Sequence, residues 1–166
     1  MSDDPEIHVE VRGVMLDPAS SVPIVILREV EGQQVVLPIW IGVFEANAIA
    51  LRLDGQHPAR PMTHDLLVQA LQQVKATVER VVISDLRDTT FFALIQLRSG
   101  DERTLVDARP SDAIALALRA EAPIFVRRSV LEKAQAVDRA AEVTDEEQLK
   151  KWLEEISPED LGKYTM

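Results

Sequence analysis

Ile7, Val9 and Val11 alternate with His8, Glu10 and Arg12, the period-2 signature of a strand buried on one face. A second apolar run spans about Val22 to Val30, turns at Glu31-Gly32-Gln33 and returns from Val35 to Ile41 as a hairpin. After Gly42 the period changes. Phe44, Ala48 and Leu51 fall at i, i+4 and i+7, with Glu45, Asn47 and Arg52 off that stripe, and Asp54-Gly55 ends the helix. The same order then recurs: a strand from Val78 to Ile83, a turn near Asp85 to Asp88, a strand from Thr90 to Leu97, a turn at Ser99-Gly100-Asp101, a strand from Arg103 to Asp107 and a helix from Ser111 to Ala120. Between the two sets, Thr63 to about Lys75 reads as an inserted helix whose Leu66, Leu67, Ala70, Leu71 and Val74 make one apolar face. Ile124-Phe125-Val126 adds a short final strand.

The repetition reaches the letters themselves. Asn47-Ala48-Ile49-Ala50-Leu51 returns 65 residues later as Asp112-Ala113-Ile114-Ala115-Leu116, which suggests an internal duplication. The expected fold is α+β, two units of a three-strand meander plus helix at about 7–54 and 78–120, with the inserted helix at 63–75. These units form a domain over 1–136, followed by an acidic helical tail over 137–166. In the tail, Thr144-Asp145-Glu146-Glu147 is a capping box. The helix it starts, about Asp145 to Ile156, sets Leu149, Trp152, Leu153 and Ile156 on one face before Ser157-Pro158 breaks it.

A length of 166 residues with 46% hydrophobic and 28% charged residues suits one soluble domain with a real core. The absence of cysteine removes disulfides and thiolate metal sites. The acidic amino terminus and the lack of any apolar run near 20 residues point to a cytoplasmic protein with no membrane association. A net charge of −10 argues against gripping nucleic acid through a broad basic surface. Ahead of residue 131, however, 12 of the 13 basic residues are arginine, a bias that suits bidentate pairing with carboxylate or phosphate. Codon usage and structural salt bridges account for the same bias.

Two segments carry candidate chemistry. In Arg60-Pro61-Met62-Thr63-His64-Asp65, Thr63 is placed to cap a helix, Asp65 to complement its positive end, and His64 beside a carboxylate is one arrangement for a general base. A cap and an exposed histidine explain the same residues. In Asp107-Ala108-Arg109-Pro110-Ser111-Asp112, a strand hands over to a helix start, where backbone N–H groups favour anions, and two aspartates with an arginine suit a divalent ion and a phosphate. The structural alternative is a cap at Ser111 or Asp112 with Arg109 paired to Asp107. Glu45, at the start of the first repeat helix, is either a further acidic ligand or a solvated cap. His57 and His64 are seven residues apart with prolines between them, which does not match a helical zinc pair.

The runs Leu37-Pro38-Ile39-Trp40-Ile41-Gly42 with Glu45-Ala46, Arg60-Pro61-Met62-Thr63-His64-Asp65-Leu66, and Val106-Asp107-Ala108-Arg109-Pro110-Ser111-Asp112-Ala113-Ile114 resemble the bifunctional nuclease family of bacteria and plants. The likeness covers roughly residues 7–136, and the closing Ser157 to Tyr164 is similar to family tails. The resemblance implies an α+β domain that forms a homodimer or higher homo-oligomer and cuts both DNA and RNA. It nominates Glu45, His64, Asp65, Asp107, Arg109 and Asp112 without assigning them roles.

Residue chemistry supplies the roles for a metal-assisted phosphodiesterase. Glu45, Asp107 and Asp112 are expected to hold Mg²⁺ or Mn²⁺, His64 oriented by Asp65 to activate water, and Arg109, with Arg60 and Ser111, to bind the phosphate of a nucleic acid substrate. The rival is a non-enzymatic oligomeric module that captures an anion or an acidic partner, its charged residues forming mutual salt bridges and caps. A regulator that reads DNA finds no recognition helix in this chain.

Overall fold

The computed structural model describes residues 3–32 and 35–140. β1 (Glu6–Leu16), β2 (Pro23–Glu29) and β3 (Val36–Trp40) form an antiparallel meander followed by α1 (Val43–Leu53) and α2 (Thr63–Gln73). β4 (Thr77–Arg87), β5 (Thr90–Ser99) and β6 (Glu102–Ala108) form a second meander, followed by α3 (Pro110–Ala120), β7 (Ile124–Arg127) and α4 (Arg128–Ala140). All the strands join in one seven-stranded sheet of order β3-β2-β1-β7-β4-β5-β6. The short β7 is the seam, antiparallel to β1 and parallel to β4. The architecture is α+β, and three strands then a helix occurs twice along the chain.

Alternation decides which side of the sheet is covered. Val9, Val25, Leu27, Leu37, Ile39, Val81, Ile83, Ala93, Ile95, Ile124 and Val126 all point into one core, because residues two apart share a face. A bulge between Ile83 and Asp85 slips β4 by one position. Leu86 therefore faces the core, and Asp85 turns outward to meet Arg87 and Lys133. Asp85 is thus a strand residue, and the expected turn narrows to Asp88-Thr89, with Asp88 at a φ of 54°.

α3 occupies the centre of the helical layer. Pro110, with its fixed φ and no N–H to satisfy, starts the helix, and Ala113, Ile114, Ala115, Leu116 and Ala117 are all buried. The small alanines let α1 and α2 pack against α3 while α3 lies on β4 and β5. α4, which the sequence reading did not anticipate as a helix, packs on β4 and β7 through Val130 and Leu131.

The two flanking helices are rotated from the orientation their apolar letters suggest. In α1 the buried residues are Ala46 and Ile49, and Phe44 is 84% exposed. In α2 the expected apolar face is largely outside, with Leu66 58% and Val74 68% exposed; Val68 packs on the core and His64 is buried. Polar contacts from His64 and Asp65 to α3 fix this rotation, as described below. The tail helix expected over 145–156 lies outside the described residues. No helix among the described residues is long and apolar enough to cross a membrane.

Ile114→Ala should lower the unfolding free energy by about 2–5 kcal/mol, as expected for truncating a fully buried aliphatic side chain. Phe44→Ser should change it by less than about 0.5 kcal/mol, as for a surface position. Urea denaturation measures both, and a large loss in Phe44→Ser would contradict the observed rotation of α1.

Candidate active site

Each of the three layer helices carries an acid at its third position: Glu45 in α1, Asp65 in α2 and Asp112 in α3. An acid there sits near the positive end of the helix dipole and can reach back to the cap. Asp65 does so, accepting from the Met62 N–H at 2.9 Å. The cap of α2 is therefore Met62, with Thr63 already the first helical residue. Glu45 folds back over Gly42, where a Cβ would collide with its carboxylate. Asp112 accepts from the side chain of its own cap residue, Arg109, and also reaches across to α2.

His64 and Arg109 meet these acids. His64 Nε2 lies 2.9 Å from Asp112 Oδ1, and the imidazole is almost fully buried. Arg109, the residue capping α3, donates from Nε to Asp112 Oδ2 at 2.8 Å and from Nη2 to Glu45 Oε1 at 2.9 Å. One guanidinium thus spans the starts of α1 and α3, while its side chain remains 65% exposed. Burial disfavours the charged form of Asp112, but hydrogen bonds from Arg109 and His64 outweigh it and hold the carboxyl below its ordinary range. Hydrogen bonds from Asp112 and Glu45 raise the Arg109 pKa in turn.

An ionised Asp112 accepts a proton bond, so the Nε2 facing it carries hydrogen. The lone pair of a neutral His64 then lies on Nδ1, which has no hydrogen-bond partner among the described residues. This is the arrangement of a base whose tautomer is fixed by a carboxylate.

A second linkage runs from α2 to the far end of α3. Arg119, with a side chain only 6% exposed, donates from Nε to Asp65 Oδ1 at 2.6 Å, from Nη1 to Ala115 O and from Nη2 to Ala48 O, both at 2.9 Å. Burial works against the Asp65 carboxylate, and bonds from Met62 N–H and Arg119 overcome it, leaving its pKa lowered. Beside this pair opens a cavity of about 310 Å³ whose walls include Arg52, His57 and Arg119.

The structure therefore gathers Glu45, His64, Arg109 and Asp112 into one network, with Asp65 beside it. The expected His64–Asp65 orientation is replaced. Neighbouring side chains on a helix diverge, so His64 reaches Asp112 and Asp65 reaches Arg119. The expected Arg109–Asp107 pairing is replaced by Asp112 and Glu45. Asp107 is exposed on β6, where it pairs across the sheet with Leu94. Ser111 is buried in the first turn of α3, and Arg60 is exposed in the α1–α2 connection.

Among the described residues, no group of three or more histidine, aspartate or glutamate side chains is placed to hold a metal ion. Glu45 and Asp112 each face a guanidinium nitrogen instead, so the triad expected for Mg²⁺ or Mn²⁺ is not assembled.

The sequence profile of the bifunctional nuclease domain matches residues 25–139. The chain belongs to this family. The matched span contains every residue of the network, from Glu45 to Arg119. Two uncharacterized proteins of Mycobacterium tuberculosis, from strains CDC 1551 / Oshkosh and ATCC 25618 / H37Rv, are 37% identical to this chain over 162 residues, covering 92% of it and 96% of their own length. A rice protein (Oryza sativa subsp. japonica) named bifunctional nuclease 2 is 28% identical over 127 residues, covering 75% of this chain and 39% of the rice protein.

Two arginines of this bifunctional nuclease domain escaped the sequence reading. Arg52 read as a polar residue beside the α1 stripe, and Arg119 as the end of a helix. The signal for Arg119 is its spacing of seven from Asp112, which sets both on one face of a helix that is otherwise buried.

Asp65→Asn should destabilise the fold at pH 6 by about 2–3 kcal/mol, since it leaves a buried guanidinium without its carboxylate. A lowered native pKa adds stability above the ordinary carboxylate value near 4 and loses it as pH falls through the native one. The gap between wild type and variant should therefore narrow from pH 6 to pH 3 in urea titrations. A gap independent of pH would contradict the ion pair.

Proposed function

We propose that the protein is a nuclease that hydrolyses phosphodiester bonds of DNA and RNA, with His64 as general base. The observation that carries the reading is the His64–Asp112 contact beside the exposed Arg109. His64 Nδ1 takes a proton from water as the water oxygen attacks phosphorus. The bond to the leaving oxygen breaks, and solvent protonates that oxygen. Arg109, held in place by Glu45 and Asp112, presents its remaining N–H groups to the phosphate, where negative charge grows in the transition state. Arg60 and Ser111 lie on the segments that flank this position. Membership of the bifunctional nuclease domain family and the named rice relative support nucleic acid as the substrate.

The pairing of Glu45 and Asp112 with Arg109 bears on metal assistance. An ion held by Glu45 and Asp112 would compete with the guanidinium for both carboxylates, so cleavage should persist in chelator. Loss in EDTA with recovery in Mn²⁺ would instead return Glu45, Asp107 and Asp112 to the role of ligands.

A second reading, a non-enzymatic oligomeric module for an anion or an acidic partner, is favoured by one observation: Arg109 and Arg119 are each paired with acids of their own chain. Both readings include self-association, in keeping with the apolar Phe44, Leu66, Leu67 and Val74 left exposed on α1 and α2, and sedimentation of the full chain measures it.

The deciding assay follows cleavage of single-stranded DNA and RNA by wild type and by His64→Ala, Asp112→Asn and Asp107→Asn. Loss of a positioned base typically slows catalysis by about 10²-fold or more. That loss is expected in the first two variants, with Asp107→Asn within about twofold of wild type. Cleavage unchanged in His64→Ala would sink the mechanism, and no cleavage by the wild type would favour the binding module.

A further inference from the structure

The cavity beside Arg119 is built from the end of α1, the α1–α2 connection and one face of α2, and the catalytic proposal does not use it. Its charges are unevenly satisfied. Arg119 bonds the Asp65 carboxylate directly, whereas Arg52 forms no salt bridge among the described residues and feels Asp65 only at longer range. The protein contacts of Arg52 are long: Nε to Leu118 O and Nη1 to His57 Nδ1, each at 3.4 Å. A guanidinium in a cavity wall with only marginal partners retains most of its capacity to grip an oxyanion in two-pronged fashion.

The rest of the wall suits the remainder of a nucleotide. Gln56 and Gln69 enter it from the connection and from α2, and each amide offers a donor and an acceptor, the pair that reads a base edge. Pro58 and Pro61 supply rigid apolar wall. A volume of about 310 Å³ lies at the lower end of small-ligand sites, which fits a single nucleotide and excludes a duplex. The one adverse group, the Asp65 carboxylate, already receives both Arg119 and the Met62 N–H.

We propose that this cavity binds a phosphorylated nucleoside, Arg52 holding its phosphate and Gln56 and Gln69 its base. The inference rests on the nuclease reading for its biological sense. Arg119 at the cavity and Asp112 at His64 are seven residues apart on one helix, a rise of about 10 Å. A nucleotide seated in the cavity would therefore position a nearby phosphodiester of the same strand at His64.

Calorimetric titration of the full-length protein with adenosine 5′-monophosphate, adenosine and inorganic phosphate tests it. The monophosphate should bind saturably, with the nucleoside and free phosphate each at least tenfold weaker. Arg52→Gln should weaken the monophosphate at least tenfold with an unchanged melting temperature. Should that variant unfold, Gln69→Leu, on the exposed face of α2, should lower affinity for the monophosphate and leave that for phosphate unaltered. No saturable binding, equal binding by a folded Arg52→Gln, or free phosphate binding as tightly as the nucleotide would each overturn the proposal. Binding without cleavage would remove the nuclease reading alone, and cleavage without binding would remove this inference alone.

Discussion

The Arg119 guanidinium is nearly sealed from solvent and donates to three helices, to Ala48 O on α1, Asp65 on α2 and Ala115 O on α3. A buried charge is tolerated only when paired and hydrogen-bonded. Sliding either flanking helix would strand a donor, so the three helices hold a fixed mutual position. That constraint outranks the apolar letters of α2, turning Leu66 and Val74 to solvent and bringing His64 inside. The burial of His64 follows from the seating of its neighbour.

The network at the opposite end of α3 depends on the same placement. Glu45, Asp65 and Asp112 hold the same third position in three helices and diverge in use: one caps its own helix and secures the layer, and two share Arg109. The Asn47/Asp112 echo in the sequence is therefore offset from the helix frame, which matches Asp112 with Glu45. Polar contacts gather at the start of α3, where a carboxylate with two oxygens serves a histidine and an arginine at once. The start of α1 joins the same network through Glu45.

Much of the fold was legible because its strands carry apolar residues in alternating or continuous runs and its turns carry glycine and aspartate at the places where the chain reverses. The α+β class, the two meanders and the starts of α1 and α2 follow from those patterns. The rotations of α1 and α2 were hidden, since periodicity reports an apolar stripe and says nothing of a polar contact strong enough to override it. α4 was hidden for a related reason. Its only apolar residues in the first turn, Val130 and Leu131, come just after the last strand, with only Arg128 and Ser129 between. The candidate residues of the site were visible as letters at helix starts, but their pairing was not, because partners 48 and 64 residues apart are joined only by the packing of helices.

The central claim is that His64 and Asp112 act as one unit in phosphodiester cleavage. A double-mutant cycle on single-turnover cleavage rates, comparing His64→Ala, Asp112→Asn and the double variant with wild type, tests it directly. Residues that work through one another lose most of the effect in the first substitution, so the double variant should be no slower than His64→Ala alone. Rates that fall by the product of the two single effects would show independent roles and contradict the account.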